Sequence, residues 1–276
     1  MKGRVLLYTS SASRVPHREG GGHECGTWLS EITHPLEPLA RAGYSFDCVT
    51  PDGRPCVIDG RSRSRLEWLL LRDRLEAALE FMTTLEAQGF GAPKPVAAVL
   101  ADEALLDSYD ALFVPGGHAP MTDVLHVNWF EGDALNERTG RLLRHFHDAG
   151  KPTALICHAP AVLGAAPYVD GKWIYHGYEM TCVSPLEEWL VENLPFIRTG
   201  GHKSDYPKDI LERHGGIVRN GMLFRSCVVE DRELLTAQDP FSGRELGTRV
   251  LAQVDRYVER RGAAMNRSGA RQAGAR

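Results

Sequence analysis

The residue best placed for chemistry is Cys157. It stops a short apolar run, Thr153 to Ile156, and is followed by His158 and by the small and apolar residues Ala159 to Leu163. A strand that turns sharply into a helix with a nucleophile at the corner is a nucleophile elbow. Strain at the corner pushes the side chain out of the sheet, and the N-terminus of the following helix favours thiolate over thiol. His158 brings an imidazole close to the sulfur. In isolation a buried structural cysteine reads the same way, because Cys is among the most buried residue types. A thiolate attacks an electrophilic carbon such as an aldehyde or ester carbonyl, and the oxyanion that develops needs donors. Val114-Pro115-Gly116-Gly117-His118 closes another apolar run. Its glycines permit the close backbone approach an oxyanion site needs, and the His158 N–H is a further donor. An ordinary tight turn would also use this glycine pair.

Those residues need a scaffold, and the hydrophobic pattern supplies one. Val5 to Tyr8 is a continuous apolar strand, Tyr44 to Thr50 alternates, and Tyr109 to Pro115 and Thr153 to Ile156 are further strands. Between them, helical spacing covers Trp28 to Ala42, Ser64 to Gln88 and Asp133 to Ala149. Pro35 and Pro38 predict a kink in the first helix or a start near Pro35. Val96 to Ala101 fits either element. Alternating strands and helices predict an α/β three-layer sandwich, with a mostly parallel, flavodoxin-like sheet. Downstream, Gly177 to Val183, Met222 to Glu230 and Glu233 to Ala237 are candidate strands. Pro185 to Asn193, Asp205 to His214 and Ser242 to Arg261 are candidate helices. Residues 262–276, rich in Ala, Gly and Arg, predict a disordered tail.

The 276 residues suit one large α/β domain or two small ones, and neither a repeat nor a linker divides them. Hydrophobic residues make up 43% and charged residues 25%, ordinary for a globular protein. A net charge of −4 leaves no footprint for nucleic acid or a membrane surface, and no apolar run is long enough to span a bilayer. The opening apolar run is too short for a signal peptide. Cysteines 25, 48, 56, 157, 182 and 227 form no C-x-x-C pair, which predicts reduced thiols and a cytoplasmic protein. Gly20-Gly21-Gly22 matches neither a P-loop nor a dinucleotide fingerprint.

Three pieces line up in order: Gly26-Thr27-Trp28-Leu29-Ser30-Glu31 after the first strand, Val114-Pro115-Gly116-Gly117-His118, and Ile156-Cys157-His158-Ala159-Pro160. Together they resemble the ThiJ/PfpI superfamily, within the class I glutamine-amidotransferase-like fold. The insertion at about 60–105 is similar to the larger glyoxalase III and heat-shock chaperone branch. Leu235 to Pro240 with Ser242 resembles the late strand and its Asn-Pro-x-Ser turn, with Asp239 in place of Asn. The resemblance implies a single domain over 1–261 and a homodimer. It places Glu31 across the pocket from the thiol as a proton shuttle, although a lone Glu on a helix is otherwise an ordinary solvated residue. A third acid should orient His158. Glu188 aligns best, with Glu187 as runner-up, and either would also suit the first turn of a helix.

The expected catalytic set is therefore Cys157, His158, Glu31 and Glu188, with Gly116, Gly117 and His118 at the oxyanion. No cofactor and no metal is expected. A chaperone-like group of the resembled family holds a metal through a His and carboxylate set that includes the His of the Gly-Gly-His turn. His118 matches that His, but the helix offers Pro38 and Leu39 where the other His would stand; zinc through His17, His23 or His118 is the competing reading. The function implied is a glyoxalase III-type enzyme that converts methylglyoxal or a similar small aldehyde to a hydroxy acid. Protein deglycase and holdase activities accompany it. A cysteine amidase or peptidase, or a non-enzymatic chaperone or redox sensor, are the alternatives.

Overall fold

The computed structural model describes residues 2–128, 132–194, 199 and 201–273, with side chains described up to 263. Its central sheet has seven strands: β1 (Gly3–Tyr8), β2 (Tyr44–Thr50), β3 (Lys94–Pro95), β4 (Ala111–Val114), β5 (Thr153–Ile156), β6 (Val228–Asp231) and β7 (Leu234–Ala237). Their order is β6-β7-β5-β4-β1-β2-β3. Every neighbouring pair is parallel except β6 with β7, which form an antiparallel hairpin. The helices are α1 (Leu29–Arg41), α2 (Arg65–Leu70), α3 (Leu75–Ala87), α4 (Val96–Leu100) and α5 (Glu103–Asp107). They continue with α6 (Pro120–Asp123), α7 (Ala134–Asp148), α8 (Pro185–Asn193), α9 (Pro207–Arg213) and α10 (Gly243–Ala273).

Strand alternation divides the core into two layers. Val5, Leu7, Ala111, Phe113, Ala154 and Ile156 face a layer with α1, α3 and α10, filled by Leu29, Ile32, Leu36, Met82 and Leu246. Leu6, Tyr8, Leu112, Val114 and Leu155 face the opposite layer, which holds α4, α7 and α9 through Val99, Leu142, Phe146 and Leu211. This is the three-layer α/β sandwich expected. The chain leaves β1 toward β2 and β3, then returns to the other side of β1 for β4. The order thus reverses between β1 and β4, and in open α/β sheets ligands bind beyond the carboxyl ends of the strands at such a reversal.

Several elements differ from the sequence reading. Helix α1 runs unbroken through Pro35 and Pro38. The carbonyl of His34, deprived of its helical partner by Pro38, lies against Gly247 of α10, where a Cβ would come within 2.9 Å of it. The long helix expected over Ser64 to Gln88 is two, α2 and α3, broken by Arg72-Asp73-Arg74 with Arg72 at φ 53°. Val96 to Leu100 is helical, and Glu179–Met180 is all that forms of the strand expected over Gly177 to Val183. Helix α10 continues to Ala273, so residues 262–273 are helical where a tail was expected, and 274–276 lie outside the described residues. The glycine-rich stretch after β1 is a small hairpin, Arg14–Pro16 with Gly22–Glu24. No helix is long and apolar enough to cross a membrane among the described residues.

Candidate active site

Cys157 sits one residue past β5 with φ 64°. That left-handed conformation costs a non-glycine residue about 1–3 kcal/mol and persists only where the surroundings impose it. Here the Cys157 N–H donates to Ala237 O at 2.8 Å, while Cys157 O accepts from Val183 N–H at 2.9 Å. The elbow is thus pinned between β7 and the segment before α8. Beyond it the chain makes a 3₁₀ turn, Ala159–Ala165, rather than the expected α-helix. Pro160 can start a turn, but Ala166 precedes Pro167 and takes an extended conformation, ψ 143°, so no helix can continue. This 3₁₀ helix of seven residues provides less dipole than the longer α-helix expected. Burial, reinforced by the charge and hydrogen bond of Glu31, pushes the Cys157 thiol well above its ordinary value. The expected thiolate preference is therefore reversed.

Glu31 lies in the first turn of α1 and is 1% exposed. Its carboxyl reaches the Cys157 thiol and the Gly117 N–H, although its Oε2 lacks a well-formed hydrogen bond among the described residues. Burial raises Glu31 well above the usual carboxylate range, and the charges of Glu67 and Asp239 add to that rise. Gly116 is glycine for a steric reason: a Cβ there would stand 2.3 Å from Glu31 Oε2 and 2.4 Å from Ile156 O. Gly117, at φ 87°, passes equally close to Gly26 O. The Pro-Gly-Gly turn, the start of α1 and the elbow therefore meet at one point, at the carboxyl ends of β1, β4 and β5.

The Cys157 Sγ is 3.2 Å from His158 Nδ1, and His158 Nε2 is 2.9 Å from Glu188 Oε1. Of the two acids left open by the sequence, Glu188 is the partner. Glu187 is occupied as the N3 residue of a capping box, accepting from Ser184 N–H at 2.7 Å while Ser184 Oγ accepts from Glu187 N–H. The next residue on a helix points about 100° away, which turns Glu188 toward the imidazole. Burial works to raise Glu188, but His158 and Lys203 outweigh it and hold its carboxyl down to about 2.

Sequence reasoning missed that second cation. Lys203 is 3% exposed and places Nζ 2.5 Å from Glu188 Oε2 and 3.1 Å from Glu192 Oε1. Tyr206 donates to Glu192 Oε2 at 2.8 Å. A signal was present: Glu188 and Glu192 are spaced i, i+4, so one face of α8 carries two acids that require a cation once buried. Glu67, from the inserted segment, was missed too. It accepts from Trp28 Nε1 at 2.6 Å and Ser30 Oγ at 3.2 Å, and burial lifts it to about 7. Asp239, which stands where the resembled turn has Asn, accepts through Oδ1 from Ser242 N–H at 3.1 Å and Oγ at 2.9 Å. Burial beside Glu187 raises it to about 8. A protonated Asp239 can donate to Glu187 as an Asn amide would.

His118 is buried, its ring edge-on to His158 with centroids 4.3 Å apart. It therefore packs beside the Cys157, His158 and Glu188 set. His118, His158 and Glu188 each offer a donor atom within 4.8 Å of the others. They do not fit a metal, because the Lys203 ammonium already occupies Glu188 and a second cation would be repelled. The His and carboxylate site of the chaperone-like group is not rebuilt either, since α1 carries Pro38 and Leu39 at the relevant turn. The protonated Cys157 thiol and Glu31 carboxyl, the His158 imidazole between the sulfur and Glu188, and the Glu188–Lys203 pair are groups suited to covalent addition to a carbonyl with proton transfer between neighbouring atoms.

Comparison with known proteins agrees with this fold. The chain is 28% identical over 250 residues to the protein/nucleic acid deglycase HchA of Staphylococcus aureus, covering 89% of this chain and 78% of that protein. Its fold superposes on the Rapid Encystment Protein 24 kDa of Francisella tularensis with a TM-score of 0.71 at 22% identity, covering 91% of this chain and 99% of that one. For glyoxalase III of Candida albicans the TM-score is 0.66 at 17% identity, covering 91% and 97%. Residues 25–253 match the DJ-1/PfpI family. Over most of its length, from the loop before α1 into α10, the chain belongs to the DJ-1/PfpI family.

Proposed function

We propose that the protein is a cofactor-independent, glyoxalase III-type enzyme that converts methylglyoxal, or a small 2-oxoaldehyde like it, to the 2-hydroxy acid. The observation that carries this reading is the buried, proton-holding Glu31 carboxyl set against the Cys157 thiol, opposite His158. A hydrolase needs a nucleophile and one base; an isomerising enzyme also needs a group that moves a proton between adjacent carbons, and Glu31 is placed for it.

His158 takes the thiol proton as sulfur bonds to the aldehyde carbon, and Glu31 gives its proton to the new alkoxide. The product is a hemithioacetal, with Glu31 now a carboxylate and His158 an imidazolium beside Glu188. Glu31 then removes the hydrogen of that carbon, and His158 protonates the neighbouring carbonyl oxygen to leave an enediol. Glu31 returns its proton to the neighbouring carbon while His158 accepts the hydroxyl proton, which gives a thioester. Water, deprotonated by Glu31, cleaves the thioester, and the departing sulfur takes its proton back from His158. The enzyme regains its starting protonation, and the hydroxy acid ionises.

The test is methylglyoxal turnover and adduct formation in wild type, Cys157→Ala and Glu31→Gln. Cys157→Ala should lose both. Glu31→Gln should still add the aldehyde, seen as added mass on Cys157, while turnover falls ~10²-fold or more, the scale for losing a general base. Near-normal turnover in Glu31→Gln would end the proton-shuttle reading, and ester hydrolysis surviving that change would favour the amidase reading. The similarity to a deglycase supports a related substrate class, carbonyl adducts on larger molecules. Comparing free methylglyoxal with a methylglyoxal-treated peptide separates the two.

A further inference from the structure

Three histidines that no step above uses form a continuous file. His118 Nδ1 is 2.9 Å from His23 Nε2, and His23 Nδ1 is 2.8 Å from His17 Nε2. At its inner end the file touches the site, because His118 packs edge-on against His158 and offers a ring nitrogen within 4.8 Å of it. That span is one a single water or a substrate hydroxyl can bridge. At its outer end, His23 and His17 are half-buried in the hairpin of Arg14–Pro16 and Gly22–Glu24. Arg18 N–H donates to His202 O at 2.9 Å and so ties this hairpin to the segment that carries Lys203. Gly201 makes room for the outermost ring: a Cβ there would fall 2.4 Å from His17 Nδ1.

We propose that His118, His23 and His17 are a proton relay that carries the proton released in each turnover from the buried site to solvent. This rests on the isomerase reading above, in which an uncharged aldehyde and water leave as a hydroxy-acid anion and one proton. The argument is geometric. A chelate turns one nitrogen of each ring toward a common point, whereas here His23 uses both nitrogens, one toward each neighbour. A neutral imidazole has one N–H and one lone pair. The file therefore has two uncharged states: His17 Nε2–H and His23 Nε2–H donating inward, or His118 Nδ1–H and His23 Nδ1–H donating outward. A proton entering His118 and leaving from His17 converts the second state to the first, and tautomer exchange of the neutral rings, with solvent at His17, restores the second before the next turnover. The groups facing His118 and His23 disfavour charge on those two rings. Burial, with His158, Lys203, His23 and Arg61, holds His118 well below its ordinary value. Burial with Arg61, His17 and Lys203, opposed only by Asp59, holds His23 down to about 4. Neither His118 nor His23 is then a trap for the proton that passes.

His23→Phe breaks the file at its middle without touching Cys157, His158, Glu31 or Glu188. The expected result is a fall in kcat of ~10-fold or more in weak buffer, with KM and the Cys157 adduct unchanged, restored by added imidazole buffer. His17→Gln, at the outer end, should show a smaller loss with the same rescue, and covers the case in which His23→Phe fails to fold. An undiminished kcat, or a loss that imidazole does not restore, overturns the relay. A second measurement does not need the substrate to be right. Nitrogen-15 spectra of the imidazoles should show His118 and His23 neutral at about pH 7, with tautomers of one sense along the file. A charged His23, or tautomers of opposing sense, overturns the relay whatever carbonyl the enzyme acts on. If wild type leaves methylglyoxal untouched while the spectra are as expected, it is the substrate reading that fails.

Discussion

Lys203→Met tests whether the acid behind His158 is held by a buried cation. In the native protein the ammonium lies between Glu188 and Glu192, and all three side chains are at most 8% exposed. Methionine keeps the length of the chain and removes the charge. Two carboxylates then face each other in a space with one remaining cation, His158, and only when that ring is protonated. Removing one partner of a buried ion pair costs about 3–5 kcal/mol, because the charge left behind has lost its compensation. At about 2–4 °C per kcal/mol for a protein of this size, the melting temperature should fall by roughly 6–20 °C. The penalty comes from uncompensated charge, so taking away one carboxylate should relieve it. Glu192→Gln combined with Lys203→Met should recover more than half of the loss, and Tyr206 can still donate to the amide oxygen. The assay is thermal melting and urea unfolding of wild type, both single variants and the double variant at neutral pH. Equal melting temperatures in wild type and Lys203→Met, or a double variant no better than the single, would refute the account of Lys203 as the counter-ion of the triad acid.

Two further outcomes come from the site's electrostatics. Asp239 is raised from an ordinary 3.8 to about 8, so between those values the folded protein holds a proton that the unfolded chain has released. Stability should fall as pH rises through that window, with a slope approaching about 1.4 kcal/mol per pH unit, and level off above it. Asp239→Asn removes this titration, so the melting-temperature gap between variant and wild type should widen with pH across the window; a constant gap counts against a protonated Asp239. Burial and Glu31 raise Cys157 well above 9.0, so its alkylation rate by iodoacetamide should still be climbing at that pH, and the half-buried Cys227 should label first at neutral pH. A Cys157 rate that reaches its plateau below about pH 7 would restore the thiolate expected from a helix dipole.

Local pattern determines the parts of the molecule that were legible in the sequence. Residues 5 to 8 are apolar throughout because β1 is covered on both faces, and the same holds for β4 and β5. The elbow, the glycine turn and Glu31 are each coded by a few consecutive residues, and parallel topology brings their ends together without further instruction. The parts that stayed hidden depend on contacts between distant segments. Nothing in Thr199 to Asp205 has a period, yet Lys203 is the buried partner of α8. His17 and His23 suggested a metal because spacing along a chain does not show which ring nitrogens face one another. The 3₁₀ turn after Cys157 arises from Pro160 and from Ala166 preceding Pro167, a signal that was present and that outweighed the small-residue run read as a helix.

The same contacts explain why a strained, uncharged thiol is a workable starting point. A thiolate next to a buried Glu31 would place two negative charges in one dry pocket, with Glu67, Glu187 and Asp239 close by. The protein avoids this by keeping protons on Cys157, Glu31 and Asp239. The acid it holds ionised against the His158 imidazole is Glu188, and Lys203 lies on its far side. In the proposed reaction, charge appears at Cys157 only when His158 removes its proton, and that imidazolium forms where Glu188 already waits. A resting thiolate would be quenched by any passing electrophile or oxidant. A thiol ionised only as the imidazole turns on it reacts when a carbonyl is in place to receive the sulfur and Glu31 is in place to protonate the oxygen.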